Sequence, residues 1–153
     1  MRPIFPALLL IAAPASARDT LGQFGRWGAF RDGMHCYAIS EPTKKDARGT
    51  VTLSSSPARG VRIQFHARLS RAAAADRPAA LRVGPSTIPL VVQDQDAWAA
   101  DGRGELRILA AIRNGDGLAI SAADARGRRF TDRYSLAGAA SAVDAAMIGC
   151  AAP

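Results

Sequence analysis

The segment 61–70 is the strongest constraint on how this chain can fold. Its residues alternate strictly between apolar and polar over ten positions, in the order Val-Arg-Ile-Gln-Phe-His-Ala-Arg-Leu-Ser. A period of two matches a β-strand, in which successive side chains point to opposite faces of a sheet. A strand with one apolar and one polar face is typical of an antiparallel sheet that covers a core on one side and meets water on the other. The segment therefore predicts a protein built on an antiparallel sheet.

Shorter segments with β character lie before and after this strand. Including it, strands are predicted at 26–30, 35–40, 50–54, 61–70, 81–83, 87–92, 118–122 and 130–136. The polar segment 18–25 is expected to be a loose lead-in. The segment 93–104 is rich in acidic residues and glycine, which predicts a loop.

Two segments have helical character. In 105–113, the apolar residues Leu106, Leu109 and Ala110 recur at helical spacing and predict a buried stripe, which Ile108 and Ile112 widen. The alanine-rich segment 139–150 is predicted to be a second helix. A length of 153 residues fits one domain. The predicted fold class is therefore mainly β: an antiparallel β-sandwich-like single domain with one short internal helix and a C-terminal helix.

The first residues resemble a targeting segment. Arg2 precedes an apolar stretch at 4–13, and the residues Ala-Ser-Ala at 15–17 fit the small-x-small rule for signal peptidase. We predict a signal peptide at 1–17 and a mature domain at 18–153, located in the periplasm or secreted. The alternative is an uncleaved membrane anchor, but the apolar stretch is about half of the roughly 20 residues that span a bilayer. We expect no transmembrane segment after signal cleavage.

The chain contains two cysteines, Cys36 and Cys150, at opposite ends of the mature domain. In an oxidising compartment an even number of cysteines favours pairing. We therefore predict a Cys36–Cys150 disulfide that cross-links the two ends of the domain. The alternative is a pair of buried free thiols.

The charge of the chain bears on its partners. The formal net charge is +7, and removal of residues 1–17 takes away Arg2 and no acid, which leaves +6. A basic surface attracts anionic groups over a Debye length of about 8–10 Å. An envelope component or an anionic surface is the partner class that this charge suggests, and the alternative is a charge that serves solubility alone. Nucleic acid is not expected as a partner, because the arginines are scattered and an exported protein seldom meets it.

The sequence contains no recognisable catalytic motif. Ser86 lacks the G-x-S-x-G environment of a hydrolase nucleophile. His35 adjoins Cys36, but neighbouring residues on a strand point to opposite faces. Asp94 and Asp96 lack the glycine and the distal glutamate of a calcium loop. We therefore predict no catalytic residue, no metal site and no cofactor.

The polar face of segment 61–70 is the one candidate interaction surface. Arg62, His66 and Arg68 all fall on this face. The alternative is an ordinary solvated strand face, which commonly carries charge. The aromatic residues Trp27, Phe30 and Tyr134 are expected to belong to the core, with a binding platform as the alternative.

Several segments carry a family resemblance. The residues Leu-Ala-Ala-Ile-Arg at 109–113, Gly-Leu-Ala-Ile at 117–120 and Tyr-Ser-Leu-Ala-Gly at 134–138 resemble the invasion-associated locus B family. A strand that carries Trp27 and is followed by Cys36 is also similar to that family. The chain departs from the family in two ways: it lacks a central cysteine pair, and Ala139 stands where an aromatic residue is common. It therefore looks like a divergent, short member.

The resemblance implies an exported, mainly β-sandwich protein of a family linked in some pathogens to host-cell entry. The family has no defined molecular activity, so it supplies no catalytic residues. We expect a non-enzymatic, envelope-associated binding or interaction module. The alternatives are a basic envelope protein that binds anionic surface groups and a hydrolase of unfamiliar type.

Overall fold

Nine antiparallel strands form one continuous sheet in the computed structural model, which describes residues 18–151. The strands are β1 (Asp19–Phe24), β2 (Trp27–Asp32), β3 (His35–Ser40), β4 (Thr50–Ser56), β5 (Val61–Ala73), β6 (Ala79–Val83), β7 (Ser86–Ala99), β8 (Gly117–Ala123) and β9 (Arg129–Ser135). The helices are α1 (Gly102–Asn114) and α2 (Ala139–Ala151), with a single 3₁₀ turn at Pro57–Arg59. The predicted mainly β single domain with an internal and a C-terminal helix is confirmed. The predicted signal peptide lies outside the described residues.

Two long strands connect the halves of the sheet. The strand order is β1-β2-β3-β4-β5-β7-β6-β8-β9. The first part of β5 pairs with β4, and its later part pairs with β7. The first part of β7 pairs with β6, and its end pairs with β5. The alternating segment of the sequence is therefore part of the central connection between the two halves.

The sheet curls until its ends meet. The indole nitrogen Nε1 of Trp27, on β2, donates a hydrogen bond to the carbonyl oxygen of Ser135, at the end of β9, at 2.8 Å. The backbone N–H of Thr43 donates to the carbonyl oxygen of Arg133 at 2.8 Å. Since β2 and β9 lie near opposite ends of the strand order, these contacts require strong curvature. The buried apolar residues form one core cluster.

Helix α2 covers the inner side of the first half of the sheet. It packs against β1 to β4 through four fully buried residues, Ala139, Ala142, Val143 and Ala146. The small alanine side chains allow the helix to approach the strands closely. The predicted disulfide is present and joins Cys36 on β3 to Cys150 in the last turn of α2, with 5.8 Å between the Cα atoms.

The strand β5 has an irregular stretch before its end. Its register with β7 shifts between Arg68 and Ala73, so five steps along β5 oppose two along β7. The backbone N–H of Ser70 in this bulge donates to Oδ2 of Asp132 at 2.8 Å. Asp132 is buried, at 5% exposure. Its carboxylate replaces a ladder partner, because a buried N–H without an acceptor would be costly.

The turn before α2 requires a glycine. Gly138 has a φ of +87°, which side-chain-bearing residues rarely adopt. A Cβ atom there would lie 2.0 Å from the carbonyl oxygen of Phe24. The β1–β2 turn and the start of α2 therefore pack backbone against backbone.

Two segments predicted as loops are strands. The segment 18–25 contains β1, which pairs with β2 and contacts α2. A Cβ atom on Gly149 would lie 2.5 Å from Cδ1 of Leu21, so this strand packs directly on the helix. The acidic segment 93–104 contains the second half of β7 and the start of α1.

The predicted buried stripe of α1 is confirmed at Ile108 and Ile112 and was wrong at Leu106. Ile108 and Ile112 are buried, whereas Leu106 is 64% exposed. The carboxylate of Glu105 accepts a hydrogen bond from the backbone N–H of Phe65 at 2.7 Å, which fixes the side of α1 that faces β5. Burial raises the pKa of Glu105, and the hydrogen bond from Phe65 opposes this only in part.

Candidate functional site

The three residues of the candidate interaction face lie on one side of β5. Arg62 and Arg68 are exposed and His66 is half-buried, while Phe65 and Ala67 between them are buried in the core. The register places His66 opposite Trp98, and Arg68 opposite Asp96, on β7. The sheet therefore adds two side chains from β7 to the predicted face.

Asp96 joins His66 and Arg68 into one network. Its Oδ1 lies 2.9 Å from Nε2 of His66, and its Oδ2 accepts a hydrogen bond from Nη1 of Arg68 at 2.9 Å. The second guanidinium nitrogen of Arg68 donates to Oε1 of Gln95 at 3.0 Å. Burial raises the pKa of Asp96, but the hydrogen bonds from His66 and Arg68 outweigh burial, so the pKa is lowered overall. The carboxylate thus remains ionised and holds the imidazole of His66 and the guanidinium of Arg68 in place.

Arg62 does not belong to this network. It precedes His66 by four residues on β5, which is about 13 Å along an extended strand. Its side chain is exposed. At one end of the predicted face, His66 and Arg68 are held by Asp96. At the other end, Arg62 is exposed to solvent.

The same side of the sheet continues across β4 to β2. We define the outer face as the side of these strands opposite α2, carrying Phe30, Tyr37, Ile39, Thr52, Ser54, Gln64, His66, Arg68, Asp96 and Trp98. Its large aromatic and apolar side chains are only half-buried. This surface combines flat rings with hydrogen-bonding groups, which is a composition that suits contact with another molecule.

A second cluster lies at the far side of the outer face. The rings of Phe30 and Tyr37 lie 5.6 Å apart, and the ring of His35 lies 5.5 Å from Tyr37. The guanidinium of Arg18 lies over both Phe30 and Tyr37, at 5.9 and 5.8 Å. Nδ1 of His35 is 2.7 Å from the hydroxyl of Ser56. The two histidines of the chain therefore sit in two separate clusters.

The aromatic residues divide between core and surface. Trp27 is fully buried and belongs to the core, as expected, whereas Phe30 lies half-exposed on the outer face. Cys36 lies on the opposite side of β3 from His35 and is bonded to Cys150. Among residues 18–151, no group of three or more histidine, cysteine or acidic side chains is arranged to hold a metal ion.

Asp96 and Trp98 were missed by the sequence reasoning as members of this surface. Both fall in the segment predicted to be a loop. A signal was available, since Asp96 and Trp98 alternate with Ala97 and Ala99 in the period of a strand. The acidic residues and glycines around these four positions favoured a loop and outweighed the alternation.

The fold and the cystine define a class of small, disulfide-linked antiparallel β-sheet protein. No family model matches the chain, and no curated protein matches it by sequence. Among solved structures, it is similar to the crystal structure of invasion associated protein B from Bartonella henselae, with a TM-score of 0.62 and 18% sequence identity. The match covers 85% of this chain and 96% of that chain. At this identity the comparison shows a common fold.

Proposed function

We propose that this chain is an exported, non-enzymatic interaction module of the invasion-associated locus B type. The observation that carries the proposal is the fold shared with invasion associated protein B over 85% of the chain. The resemblance of segments 109–113, 117–120 and 134–138 to that family supports the same assignment. The first line of support rests on backbone geometry and the second on residue identity.

The cystine and the N-terminal sequence support export. Disulfides between distant parts of a domain persist in oxidising compartments and are rare in the cytosol. Residues 1–17 have the charge, apolar length and cleavage pattern of a signal peptide. Within the part of the chain that is described, no helix has the length and apolar character needed to cross a bilayer.

The outer face supports a role in binding. Helix α2 covers the inner side of β1 to β4, while the outer face has no helix packed against it within residues 18–151. Half-exposed rings such as Trp98 and Tyr37 lie there beside Arg68 and His66. We assign this face to contact with an envelope component.

Three features support the non-enzymatic assignment. His35 and His66 lie in separate clusters, so they do not form a pair of proton donors and acceptors. The one cysteine adjacent to a histidine is in a disulfide. Asp96, the acid beside His66, is also held by Arg68.

Intact mass measurement tests the export part. The protein would be expressed in a Gram-negative host and recovered from the periplasm or medium, then alkylated with and without reduction. We expect a chain that begins at Arg18, with two alkylated thiols only after reduction. A full-length chain in the cytoplasm with thiols that react without reduction would overturn this part of the proposal.

Co-sedimentation with envelope preparations of the producing bacterium tests the binding part. The variant Arg62→Gln/Arg68→Gln removes two charges from the candidate interaction face on β5, and Arg26→Gln/Arg103→Gln removes two exposed charges elsewhere. We expect the first variant to bind about tenfold more weakly and the second to bind like the wild type. Equal binding by all three proteins would show that the outer face is not the contact surface.

A second candidate function is a basic protein that neutralises anionic surface groups without a defined site. The net charge of +6 that remains after residues 1–17 are removed favours it. In that case both double variants would weaken envelope binding equally, since each removes the same charge.

A further inference from the structure

A basic cleft lies on a different part of the surface from the outer face. It has a volume of about 590 Å³ and lies between the β3–β4 loop, the end of β5 and the strand β9. Five cationic side chains line it: Lys44, Arg48, Arg71, Arg129 and Arg133. They come from three segments that are far apart in the sequence, so the fold assembles the cleft.

The walls of the cleft are fixed by specific contacts. The loop wall is attached to β9 through Thr43, whose backbone N–H and side-chain hydroxyl both donate to the carbonyl oxygen of Arg133, at 2.8 and 3.2 Å. On the opposite wall, the guanidinium of Arg71 lies 5.2 Å from the ring centre of Phe130. These contacts hold the cationic residues near one another before any ligand binds.

The base of the cleft lies at the bulge of β5. Ser70 and Asp132 line it, and the carboxylate of Asp132 is engaged by the backbone N–H of Ser70. Asp132 is 5% exposed, so its charge lies below the surface of the cleft. The hydrogen bond between Ser70 and Asp132 therefore fixes the base of the cleft beneath the cationic walls.

The charges of the cleft do not balance. Two acids line it, Asp46 and Asp132, against five cations, which leaves a formal excess of three positive charges. Within residues 18–151, none of the five cations lies within 4.0 Å of a carboxylate oxygen. By contrast, Arg128 nearby is held by Asp124 at 2.8 Å. Cationic groups gathered without internal counter-ions raise the local concentration of anions.

The positive surface extends beyond the cleft. A neighbouring hollow shares Arg71 and adds Arg126, and another shares Arg129 and adds Arg77 and Arg82. The cleft is thus part of a wider basic region, which would draw an anionic ligand towards it.

We propose that this cleft binds a phosphate group, either free or carried by an anionic lipid. Four of the five cations are arginines, whose planar guanidinium groups donate paired hydrogen bonds to phosphate oxygens. A phosphate monoester carries a charge close to −2 at neutral pH and can engage several cations at once, whereas a carboxylate carries −1. A positive excess of three therefore suits a phosphate better than a single carboxylate. This inference does not depend on export or on the outer face.

Calorimetric titration of the purified mature domain tests the proposal. The first probe is inorganic pyrophosphate, and the second is a phosphatidylcholine vesicle with or without phosphatidic acid. Polygalacturonate serves as a carboxylate polymer for comparison. The test variant is Arg129→Gln/Arg133→Gln, because both side chains are exposed on β9 and make no ion pair with a described residue. The matched control is Arg26→Gln/Arg103→Gln, which changes the net charge equally outside the cleft.

We expect binding of a phosphate probe that weakens as salt is raised. The test variant should bind at least about tenfold more weakly, and the control within about twofold of the wild type. Binding of pyrophosphate identifies a free phosphate site, and binding of phosphatidic acid vesicles alone identifies a lipid headgroup site.

Three results would overturn the proposal. They are no binding of either phosphate probe, stronger binding of polygalacturonate than of both, and equal weakening in the test variant and the control. Unchanged melting temperatures of both variants would ensure that folding is not the cause. Failure here would leave the envelope-binding role of the outer face untouched, because that test uses other residues.

Discussion

The cystine between β3 and α2 gives the most quantitative prediction. We would replace both cysteines, as Cys36→Ala/Cys150→Ala. Alanine is preferred to serine because Cys36 is fully buried, and a serine hydroxyl there would lose its hydrogen bonds to water. The double variant removes the cross-link without leaving a single reactive thiol.

The size of the effect follows from the length of chain that the bond encloses. The two cysteines are 114 residues apart. The chain-entropy relation gives about 5 kcal/mol for a loop of this length, while disulfides usually stabilise by about 2–4 kcal/mol. We expect the free energy of unfolding to fall by about 3–5 kcal/mol. The four buried residues of α2 remain in contact with the sheet, so the variant should still fold.

Equilibrium urea denaturation measures this loss. Reduced wild-type protein is the control, because it has lost the cross-link but retains both sulfur atoms. If the cross-link causes the loss, reduced protein and the double variant should have similar midpoints, and both should show a steeper urea dependence than oxidised protein because their unfolded chains expand further. A loss below about 1 kcal/mol would refute the reasoning and indicate that the ends are held together by packing alone.

Three further predictions follow from individual residues. Gly138→Ala should destabilise the fold by about 3 kcal/mol in urea denaturation, from its positive φ and the clash with a backbone carbonyl, whereas Gly33→Ala should cost about 1 kcal/mol because its φ is +59° and nothing lies near it. Tyr134→Phe should raise the free energy of unfolding by about 1 kcal/mol, because the tyrosine hydroxyl is buried without a hydrogen-bond partner among the described residues. Glu105 has a raised pKa, so the folded state holds its proton to a higher pH than the unfolded chain. The stability contributed by this group is therefore lost as the pH rises from about 4.5 through the raised pKa, and Glu105→Gln should abolish that loss in denaturation curves taken across this range.

Each of these has a clear contrary result. Equal losses from the two glycine variants would mean that the contact at Gly138 is relieved by a small backbone shift. A destabilised Tyr134→Phe would show that the hydroxyl has a partner, such as a bound water. A pH dependence that is the same with and without Glu105→Gln would place the titration elsewhere.

The strands with strong local patterns could be predicted from the sequence. The alternation in 61–70 predicted both the strand and the face that is buried. When one face of a strand is buried, every second residue must be apolar, and this pattern is visible in the sequence. The pairing of Cys36 with Cys150 could be expected for a different reason, since two cysteines allow one intramolecular bond.

The segments that the prediction missed depend on contacts from elsewhere in the chain. The acids of 93–104 suggested a loop, but Asp96 lies on a strand, where His66 and Arg68 on β5 are hydrogen-bonded to its carboxylate. In α1, two adjacent helical faces are both apolar, and a hydrogen bond to Phe65 decides which one is buried. Both contacts are made with residues of β5, which are distant in the sequence from the segments whose structure they determine.

The candidate site was predicted only in part for the same reason. Arg62, His66 and Arg68 could be placed on one face from alternation alone. The basic cleft could not, since Lys44, Arg71 and Arg133 each occur in a segment that resembles an ordinary solvated surface. Only the curvature of the sheet brings them together.

The closure of the sheet also affects the tendency of the protein to aggregate. An edge strand with free backbone groups can pair with a strand of another molecule. On β9 the carbonyl oxygens of Arg133 and Ser135 are already taken by Thr43 and Trp27 of the same chain. Further along this edge, the charge of Arg129 opposes the approach of an identical strand. The last strand of the sheet is thus protected against growth into fibres by contacts within its own chain and by its charge.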